Sequence, residues 1–328
     1  MAAAVVEAIG LRKTFRTREK APGLRASLSG LIAPRYRDVE AVGGIDLHIE
    51  PGEVLAFIGP NGAGKSTTIK MLTGILYPSA GEAHVLGMVP WRDRQKLAFQ
   101  IASVFGQRSQ LWYHLPPGDS LELLARIYEL DQSTYRARLA ELVDRFEIQH
   151  LLHVPVRKLS LGERMRCEIV GSLLHRPAIL FLDEPTIGLD VVAKQHIRQH
   201  IRELNEREGT TVFLTSHDAG DVEHLCRRVI IINHGTVVFD DSVAALKQQF
   251  LRSKRIELKL LEPALPFSLS GVTVIRQDDY ELVVDVDTTV QPIESAVANL
   301  ISATRVADVS IEDPPLEEII AMMYSQNA

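Results

Sequence analysis

The sequence has few cysteines, no long apolar run and no excess of positive charge. Cys167 and Cys226 are the only cysteines, and neither lies in a C-x-x-C pair, which argues against a disulfide framework or a zinc site. No apolar run is long enough to cross a membrane, and residues 1–9 lack the basic segment that begins a signal peptide. The formal net charge of −6 gives no footprint for nucleic acid. We therefore expect a protein that neither spans a membrane nor is secreted, and that binds no nucleic acid.

A glycine-rich run, GPNGAGKST, occupies residues 59–67. In such a run the glycines let backbone N–H groups face the β- and γ-phosphates, Lys65 adds a positive charge, and the Ser66 hydroxyl can ligate Mg²⁺. The apolar residues 54–58 predict a buried parallel strand, and residues 67–74 predict a helix whose N-terminus faces the phosphates. The predicted nucleotide-binding residues of this run are Gly59, Pro60, Asn61, Gly62, Ala63, Gly64, Lys65, Ser66 and Thr67.

Two further apolar runs end in polar side chains. The run at 179–182 ends in Asp183 and Glu184, and the run at 211–215 is followed by His217. Because parallel strands present their carboxyl ends to a ligand at one edge of the sheet, we expect these side chains near the phosphates. Asp183 is suited to Mg²⁺, either as a direct ligand or as a group that bonds to one of the ion's ligands. Glu184 is suited to be the base for an attacking water, and His217 to contact the γ-phosphate.

The sequence LSLGE at residues 159–163 combines two signals. Ser160 and Glu163 have the S-x-x-E spacing of a helix capping box, which predicts a helix over 162–174. The N–H groups exposed at the start of such a helix also suit a contact with a phosphate. The two interpretations are compatible, because the N-terminus of a helix attracts anions.

In this order along the chain, the motifs resemble those of the nucleotide-binding subunits of ABC transporters. The run at 59–67 resembles the Walker A loop, 159–163 the signature sequence and Asp183-Glu184 the Walker B pair. Residues 187–190 resemble the D-loop. The resemblance covers roughly residues 5 to 240 and also assigns Gln107 to the Q-loop and His217 to the switch position.

The resemblance implies an ATPase with ATP and Mg²⁺ as cofactors and a specific set of site residues. The catalytic residues it implies are Glu184, His217 and Gln107, and the residues at Mg²⁺ are Ser66, Gln107 and Asp183. The residues that contact nucleotide held by the opposite subunit are Ser160, Leu161, Gly162, Glu163 and Asp190. The signature departs from the usual LSGGQ, because Leu161 replaces a glycine and Glu163 replaces the glutamine.

Two contacts outside the motifs stay open between alternatives. In the family an aromatic side chain near the end of the first strand stacks on adenine. Phe15 fits this role by its local context and Tyr36 by its distance to Gly59, and Phe15 is slightly favoured. Trp112 and Tyr113, which follow Gln107, are either core residues or, with Leu111, part of the groove that receives a helix of the membrane subunit.

The sequence predicts an α/β fold with a P-loop NTPase core of the RecA-like ABC ATPase type, an antiparallel β subdomain and a helical subdomain, followed by a small C-terminal α+β domain. We expect the ATPase domain over 1–240, with the helical subdomain at about 108–160. A linking helix is expected over 241–253 and the accessory domain over 254–328. Residues 12–37 carry eight Arg or Lys and one acid, which suits a solvated loop or a cationic face near lipid headgroups.

These observations predict the ATP-hydrolysing subunit of an ABC transporter. It would bind two MgATP in a head-to-tail dimer with itself and power separate integral membrane permease subunits from the cytoplasmic face of the cell membrane. Export of the ABC-2 type is the first choice, because the ending of the chain resembles the small C-terminal domain of such ATPases. The alternatives are an importer ATPase, which shares the catalytic motifs, and a non-transport ABC ATPase.

Overall fold

A computed structural model describes residues 4–18, 36–106, 109–250, 253–262 and 269–326. Gln107 and most of the basic insertion lie outside the described residues. The chain divides into two compact units, Met1–Asp241 and Ser242–Ala328. Within the described ranges, no helix has both the length and the apolar character needed to cross a membrane.

The described residues of the first unit form two sheets. In the smaller one, β1 (Val6–Arg18) pairs antiparallel with both β2 (Tyr36–Ile49) and β4 (Ala80–Val85). The larger sheet has six strands, which in spatial order are β5 (Ile101–Phe105), β6 (Ile179–Asp183), β7 (Thr211–Thr215), β3 (Val54–Ile58), β8 (Arg228–Asn233) and β9 (Thr236–Ser242). The first five of these are parallel. The carboxyl ends of β3, β6 and β7, where the motif residues lie, therefore share one edge of the sheet.

The helices predicted over 67–74 and 162–174 lie at 65–72 and 161–173, and the first unit has further α-helices among its described residues. In chain order these helices are α1 (Lys65–Leu72), α2 (Arg94–Ala98), α3 (Pro117–Ile127), α4 (Gln132–Arg145), α5 (Leu161–Leu173), α6 (Val191–Glu208) and α7 (Ala219–Leu225). Local signals set their limits. The Asp131 carboxylate accepts hydrogen bonds from the first backbone N–H groups of α4, and Gly209 ends α6 in a left-handed conformation with φ 66°.

A core cluster of the first unit joins strands of both sheets with α1. Phe57, Phe181 and Phe213 from three adjacent strands are fully buried, and the ring of Phe213 lies 5.2 Å from that of Phe57 and 5.5 Å from that of Phe181. Ile69 and Leu72 of α1 belong to the same apolar cluster. Burial of this kind stabilises a fold by about 1.5–3 kcal/mol for each large side chain. The packing fixes α1 directly behind the phosphate loop.

A buried ionic network joins α4 to α6. The Arg138 side chain in α4 is 1% exposed, and its guanidinium donates to the Glu208 carboxylate at 2.7 Å and to Glu141 at 2.9 Å. Arg145 donates to the same Glu208 at 2.7 Å. Burial alone would lower the pKa of Arg138, but its hydrogen bonds and attraction to Glu208 and Glu141 outweigh this and raise it. The network fixes α4 against the C-terminal end of α6.

The second unit has its own sheet and its own core. Its elements are α8 (Val243–Phe250), β10 (Ser253–Leu260), β11 (Val272–Asp278), β12 (Glu281–Asp287), α9 (Ile293–Ala303), β13 (Val306–Glu312) and α10 (Leu316–Gln326). The strand order is β11-β12-β10-β13 with antiparallel pairing throughout. Ile256, Leu258 and Val284 pack with Leu300 of α9 in a separate buried cluster. The expected α+β fold of the tail is therefore present.

Because each unit has its own core, we expect a chain that ends at Asp241 to fold and to bind ATP with the affinity of the full chain. The cut is placed there because α8 falls within the second unit. Isothermal titration calorimetry with ATP, together with the circular dichroism of both proteins, measures the effect. A truncated protein with native circular dichroism that no longer binds ATP would contradict the division into units.

Candidate functional site

The loop between β3 and α1 is shaped by glycines that no other residue could replace without strain. Gly64 has φ 108°, and a Cβ added there would lie 2.4 Å from the Ala41 carbonyl oxygen. A Cβ added at Gly59 would lie 2.2 Å from the carbonyl oxygen of Ile232. The loop can therefore follow its tight path only with glycine at these positions. It leaves the N-terminus of α1 facing the edge of the sheet, as an anion site requires.

The Lys65 side chain folds back and bonds to the backbone of its own loop. Its Nζ donates to the carbonyl oxygens of Gly59 at 2.6 Å and Pro60 at 3.2 Å, and it lies 3.2 Å from His217 Nε2. Burial lowers the pKa of Lys65, while the Glu184 and Asp183 carboxylates act in the opposite direction. The ammonium group is thus held at the centre of the site by exchangeable hydrogen bonds, which phosphate oxygens can replace.

The end of β6 is tied to the phosphate loop through one carboxylate. Asp183 Oδ1 accepts hydrogen bonds from the Ser66 hydroxyl at 3.2 Å and from the Thr215 hydroxyl at 2.7 Å. Thr215 also accepts a hydrogen bond from the Glu184 backbone N–H, through its carbonyl oxygen at 3.0 Å and its hydroxyl at 3.2 Å. No motif of the sequence includes Thr215, which the fold places at the end of β7 opposite Asp183 at the end of β6.

Glu184 and His217 meet at the same edge. His217 Nε2 lies 2.9 Å from Glu184 Oε1. Glu184 has φ 55°, an unusual backbone conformation for a residue with a side chain, and its carbonyl oxygen lies 2.4 Å from a Cβ added at Gly106. The structure therefore brings together Lys65, Ser66 and Asp183 with Glu184 and His217, as the sequence predicts for a phosphate site. Gln107 lies outside the described residues.

The signature turn is a capped helix start, as its sequence predicts. The Ser160 hydroxyl accepts from the Glu163 N–H at 3.3 Å, and the Glu163 carboxylate accepts from the Ser160 N–H at 2.8 Å. The backbone hydrogen bond from Ser160 is the main reason that the pKa of Glu163 is lowered. Glu163 thus completes the capping box that begins α5.

The contacts described for the signature turn run to the D-loop and not to the phosphate loop. The turn and the D-loop line a common cavity of about 680 Å³. A methyl carbon of Leu161 lies 3.1 Å from a Cβ added at Gly188, which has φ 73°. Asp190 caps α6 by accepting a hydrogen bond from the Ala193 N–H at 2.8 Å. The site residues therefore form two groups, one around Lys65 and one around Ser160.

The two aromatic candidates lie on the paired strands β1 and β2. Phe15 is paired with Val39 and Tyr36 with Arg18. Both rings are partly exposed, and a basic side chain lies over each of them. Lys13 Nζ is 5.3 Å from the ring centre of Phe15, and the guanidinium carbon of Arg16 is 4.5 Å from the ring centre of Tyr36.

The segment after the Q-loop position is bonded to a buried side chain of α5, and its aromatic side chains are exposed. Glu168 of α5 is 4% exposed and accepts hydrogen bonds from the Ser109 hydroxyl and, at 2.9 Å, from the Gln110 N–H. Burial raises the pKa of Glu168 despite these hydrogen bonds. Trp112 and Tyr113 are 41% and 54% exposed, so the core interpretation of this pair is wrong. Leu111, by contrast, is buried at 4% and can only support a groove from beneath.

Comparison with known proteins gives consistent matches. A family model described as "ABC transporter" matches residues 42–187. Daunorubicin resistance ATP-binding protein DrrA3 of Streptomyces coeruleorubidus is 33% identical over 294 residues, which are 87% of this chain and 91% of that protein. Nod factor export ATP-binding protein I of Burkholderia pseudomallei (strain 1710b) is 33% identical over 253 residues, covering 74% of this chain and 83% of that protein.

Solved structures give the same fold. The dimeric structure of a post-hydrolysis state of the ATP-binding cassette MJ0796 bound to ADP and Pi superposes with a TM-score of 0.61 at 25% identity. It covers 73% of this chain and 98% of that one. The α/β cassette fold expected from the sequence is thereby confirmed.

Proposed function

The chain belongs to the ATP-binding proteins of ABC transporters, and we propose that it binds two MgATP in a head-to-tail dimer and powers a separate membrane permease, in the direction of export. The observation that carries the proposal is the division of the site residues into two groups. One group surrounds Lys65 at the phosphate loop, and the other surrounds Ser160 at the signature turn. A second copy turned head to tail would supply the missing group to each phosphate loop.

The residues around Asp183 fit a magnesium ion. Mg²⁺ prefers oxygen ligands and is commonly held by one or two carboxylates together with substrate phosphates. The Ser66 hydroxyl and the Asp183 carboxylate lie 3.2 Å apart, which suits two groups that share one small cation. No cluster of three or more His, Cys, Asp or Glu that could hold a metal occurs in the described part of the chain, so nucleotide phosphates would supply further ligands. When bound, the ion would neutralise the charge that develops on the β- and γ-phosphates.

The roles of the other residues follow from their positions. Lys65 exchanges its two loop carbonyls for phosphate oxygens and so binds the nucleotide. Glu184, held by Thr215, accepts the proton of the attacking water. His217, 2.9 Å from Glu184, orients that carboxylate and donates to the γ-phosphate. Gln107 retains its predicted place at the magnesium ion and among the catalytic residues.

The surface beside the signature supports the dimer. Three apolar side chains of the D-loop and the start of α6 are exposed, namely Ile187 at 44%, Val191 at 71% and Val192 at 61%. Val192 lines the cavity shared by the signature turn and the D-loop, and Ile187 and Val191 are next in the chain to residues that line it. Exposed apolar patches of this kind are typical of interaction sites. Residues Ser160, Leu161, Gly162, Glu163 and Asp190 would then contact the nucleotide of the partner copy.

The direction of transport is inferred from relatives. The names of two of them refer to daunorubicin resistance and to Nod factor export. An ATPase of an exporter works at the cytoplasmic face of the membrane through its permease, and we propose that place for this chain. The exposed Trp112 and Tyr113 offer the aromatic anchors that such an interface needs.

The first prediction from the proposed function separates nucleotide binding from chemistry. The hydrogen bonds of Lys65 to phosphate are worth about 1.5–3 kcal/mol each, so Lys65→Ala should weaken ATP binding by at least about tenfold and abolish turnover. Glu184→Gln should bind ATP normally and lose steady-state hydrolysis. Glu206→Gln, the same chemical change at an exposed position on α6, serves as the control. Near-normal phosphate release by Glu184→Gln would remove Glu184 from the role of base.

A second prediction concerns the adenine platform. The Ala41 carbonyl oxygen would lie 2.4 Å from a Cβ added at Gly64, so Ala41 lies beside the phosphate loop. Val39, opposite Phe15, is two residues from Ala41, whereas Tyr36 is five residues away, which is about 16 Å along a strand. Phe15 is therefore favoured. Base stacking is worth about 1–3 kcal/mol, so Phe15→Ala should raise the ATP dissociation constant at least about fivefold. Tyr36→Ala is the matched control and should bind ATP as the unmodified chain does. The opposite result would move the role to Tyr36.

The third prediction concerns the permease. Truncation of an aromatic anchor costs about 2 kcal/mol or more, so Trp112→Ala should weaken co-purification with the permease and uncouple transport from hydrolysis. ATP binding by the isolated subunit should be unchanged, because Trp112 lies outside the phosphate loop. Tyr280→Ala removes an aromatic that is 61% exposed in the second unit and is the control. Unchanged assembly and transport in Trp112→Ala would show that Trp112 is not an anchor.

A further inference from the structure

Asp221 is a fully buried carboxylate that no site motif includes. It lies in α7 with an exposure of 0%, and both of its oxygens are engaged. Oδ1 accepts from Arg198 Nε at 2.7 Å, and Oδ2 accepts from the hydroxyls of Thr186 at 2.5 Å and Ser216 at 2.6 Å. A buried carboxylate is costly unless it is paired and hydrogen-bonded, and here one cation and two hydroxyls meet that requirement.

The partners of Asp221 come from three separate parts of the site. Thr186 follows the Walker B residues and begins the turn that leads into the D-loop. Ser216 immediately precedes His217. Arg198 belongs to α6, the helix that the D-loop residue Asp190 caps. One carboxylate therefore links the chain beyond Glu184, the chain before His217 and the helix behind both.

Asp218, the residue after His217, is also bonded to side chains of α6. Asp218 accepts hydrogen bonds from Arg198 Nη2 at 3.0 Å and from the Lys194 ammonium, and its N–H donates to the Ser216 hydroxyl at 3.0 Å. The Arg198 guanidinium packs against Gly220, where an added Cβ would lie 2.9 Å from Nη2. His217 thus lies between Ser216, which is linked to α6 through Asp221, and Asp218, which is bonded to α6 directly.

From this geometry we propose that Asp221 is a positioning residue for ATP hydrolysis, which acts through Ser216 to hold His217 against Glu184. The proposal rests on the role proposed above for His217. The imidazole itself is 40% exposed, and its described contacts are Glu184 Oε1 at 2.9 Å and Lys65 Nζ at 3.2 Å. Its position therefore depends on the backbone that carries it, and that backbone is held by Ser216 and Asp218.

The first arm of the test is Asp221→Asn in the full chain, which keeps the size of the side chain and removes its charge. A misplacement of about 1 Å in a catalytic group can cost about 100-fold in rate, so we expect kcat to fall by about 10- to 100-fold. The dissociation constant of MgATP should stay within about twofold, because the phosphate loop and Lys65 make no contact with Asp221. Glu206→Gln, exposed on α6, is the control for the acid-to-amide change and should keep the kcat of the unmodified chain.

The second arm combines Asp221→Asn with His217→Ala. If Asp221 acts through His217, the double variant should turn over within about twofold of His217→Ala alone, since coupled residues are not additive. Full additivity would overturn the proposal. Normal turnover by His217→Ala would instead contradict the proposed role of His217. If His217→Ala is impaired while Asp221→Asn folds and has normal kcat, the positioning role of Asp221 is overturned and the role of His217 stands.

Ser216→Ala covers the case in which Asp221→Asn fails to fold, as judged by its thermal unfolding. It removes one hydroxyl between Asp221 and His217 and leaves the Arg198 pair in place. We expect a lower kcat with unchanged MgATP affinity. A Ser216→Ala protein with the kcat of the unmodified chain would overturn the proposal.

Discussion

The site depends on one carboxylate that joins three adjacent strands of the parallel sheet. Asp183 at the end of β6 accepts from Ser66, which follows β3, and from Thr215 at the end of β7. These hydrogen bonds are possible because β6, β7 and β3 are neighbours in the sheet and run in the same direction. A change in strand order would separate the phosphate loop from Glu184 and His217, even with every motif intact in the sequence.

The packing of α4 against α5 and α6 depends on a different kind of interaction. Arg138 donates to the Leu173 carbonyl oxygen at the end of α5 as well as to Glu208 and Glu141. A buried ion pair adds little net stability, but loss of one partner leaves a buried charge at a cost of about 3–5 kcal/mol. Such a network therefore tolerates only one arrangement of α4, α5 and α6. It thereby fixes the direction of α5, whose N-terminus carries the signature turn.

Much of this arrangement could be predicted from the sequence, because the signals are local. The apolar runs gave β3 and β7 their bounds, the glycine-rich loop indicated the phosphate site, and the S-x-x-E spacing predicted the capping box at Ser160. Parallel strands then required the ends of these runs to meet.

What the sequence could not predict depends on contacts between distant segments. Thr215 and Asp221 look like ordinary residues at the end of a strand and in a short helix, and only the fold brings their oxygens to Asp183 and Arg198. Trp112 is apolar and suits a core, yet the backbone around it turns the ring outward. The choice between Phe15 and Tyr36 also required the strand register. Pairwise contacts of this kind leave no periodic pattern in a sequence.

The central claim is that each phosphate loop is half of a site that a second copy completes. Sedimentation velocity of Glu184→Gln with and without MgATP tests it most directly, because this variant is expected to retain nucleotide without hydrolysing it. We predict a monomer without nucleotide and a dimer with MgATP, and that Ser160→Arg in the same background remains a monomer that still binds ATP. A Glu184→Gln protein that is saturated with MgATP and stays monomeric at every concentration would contradict the account.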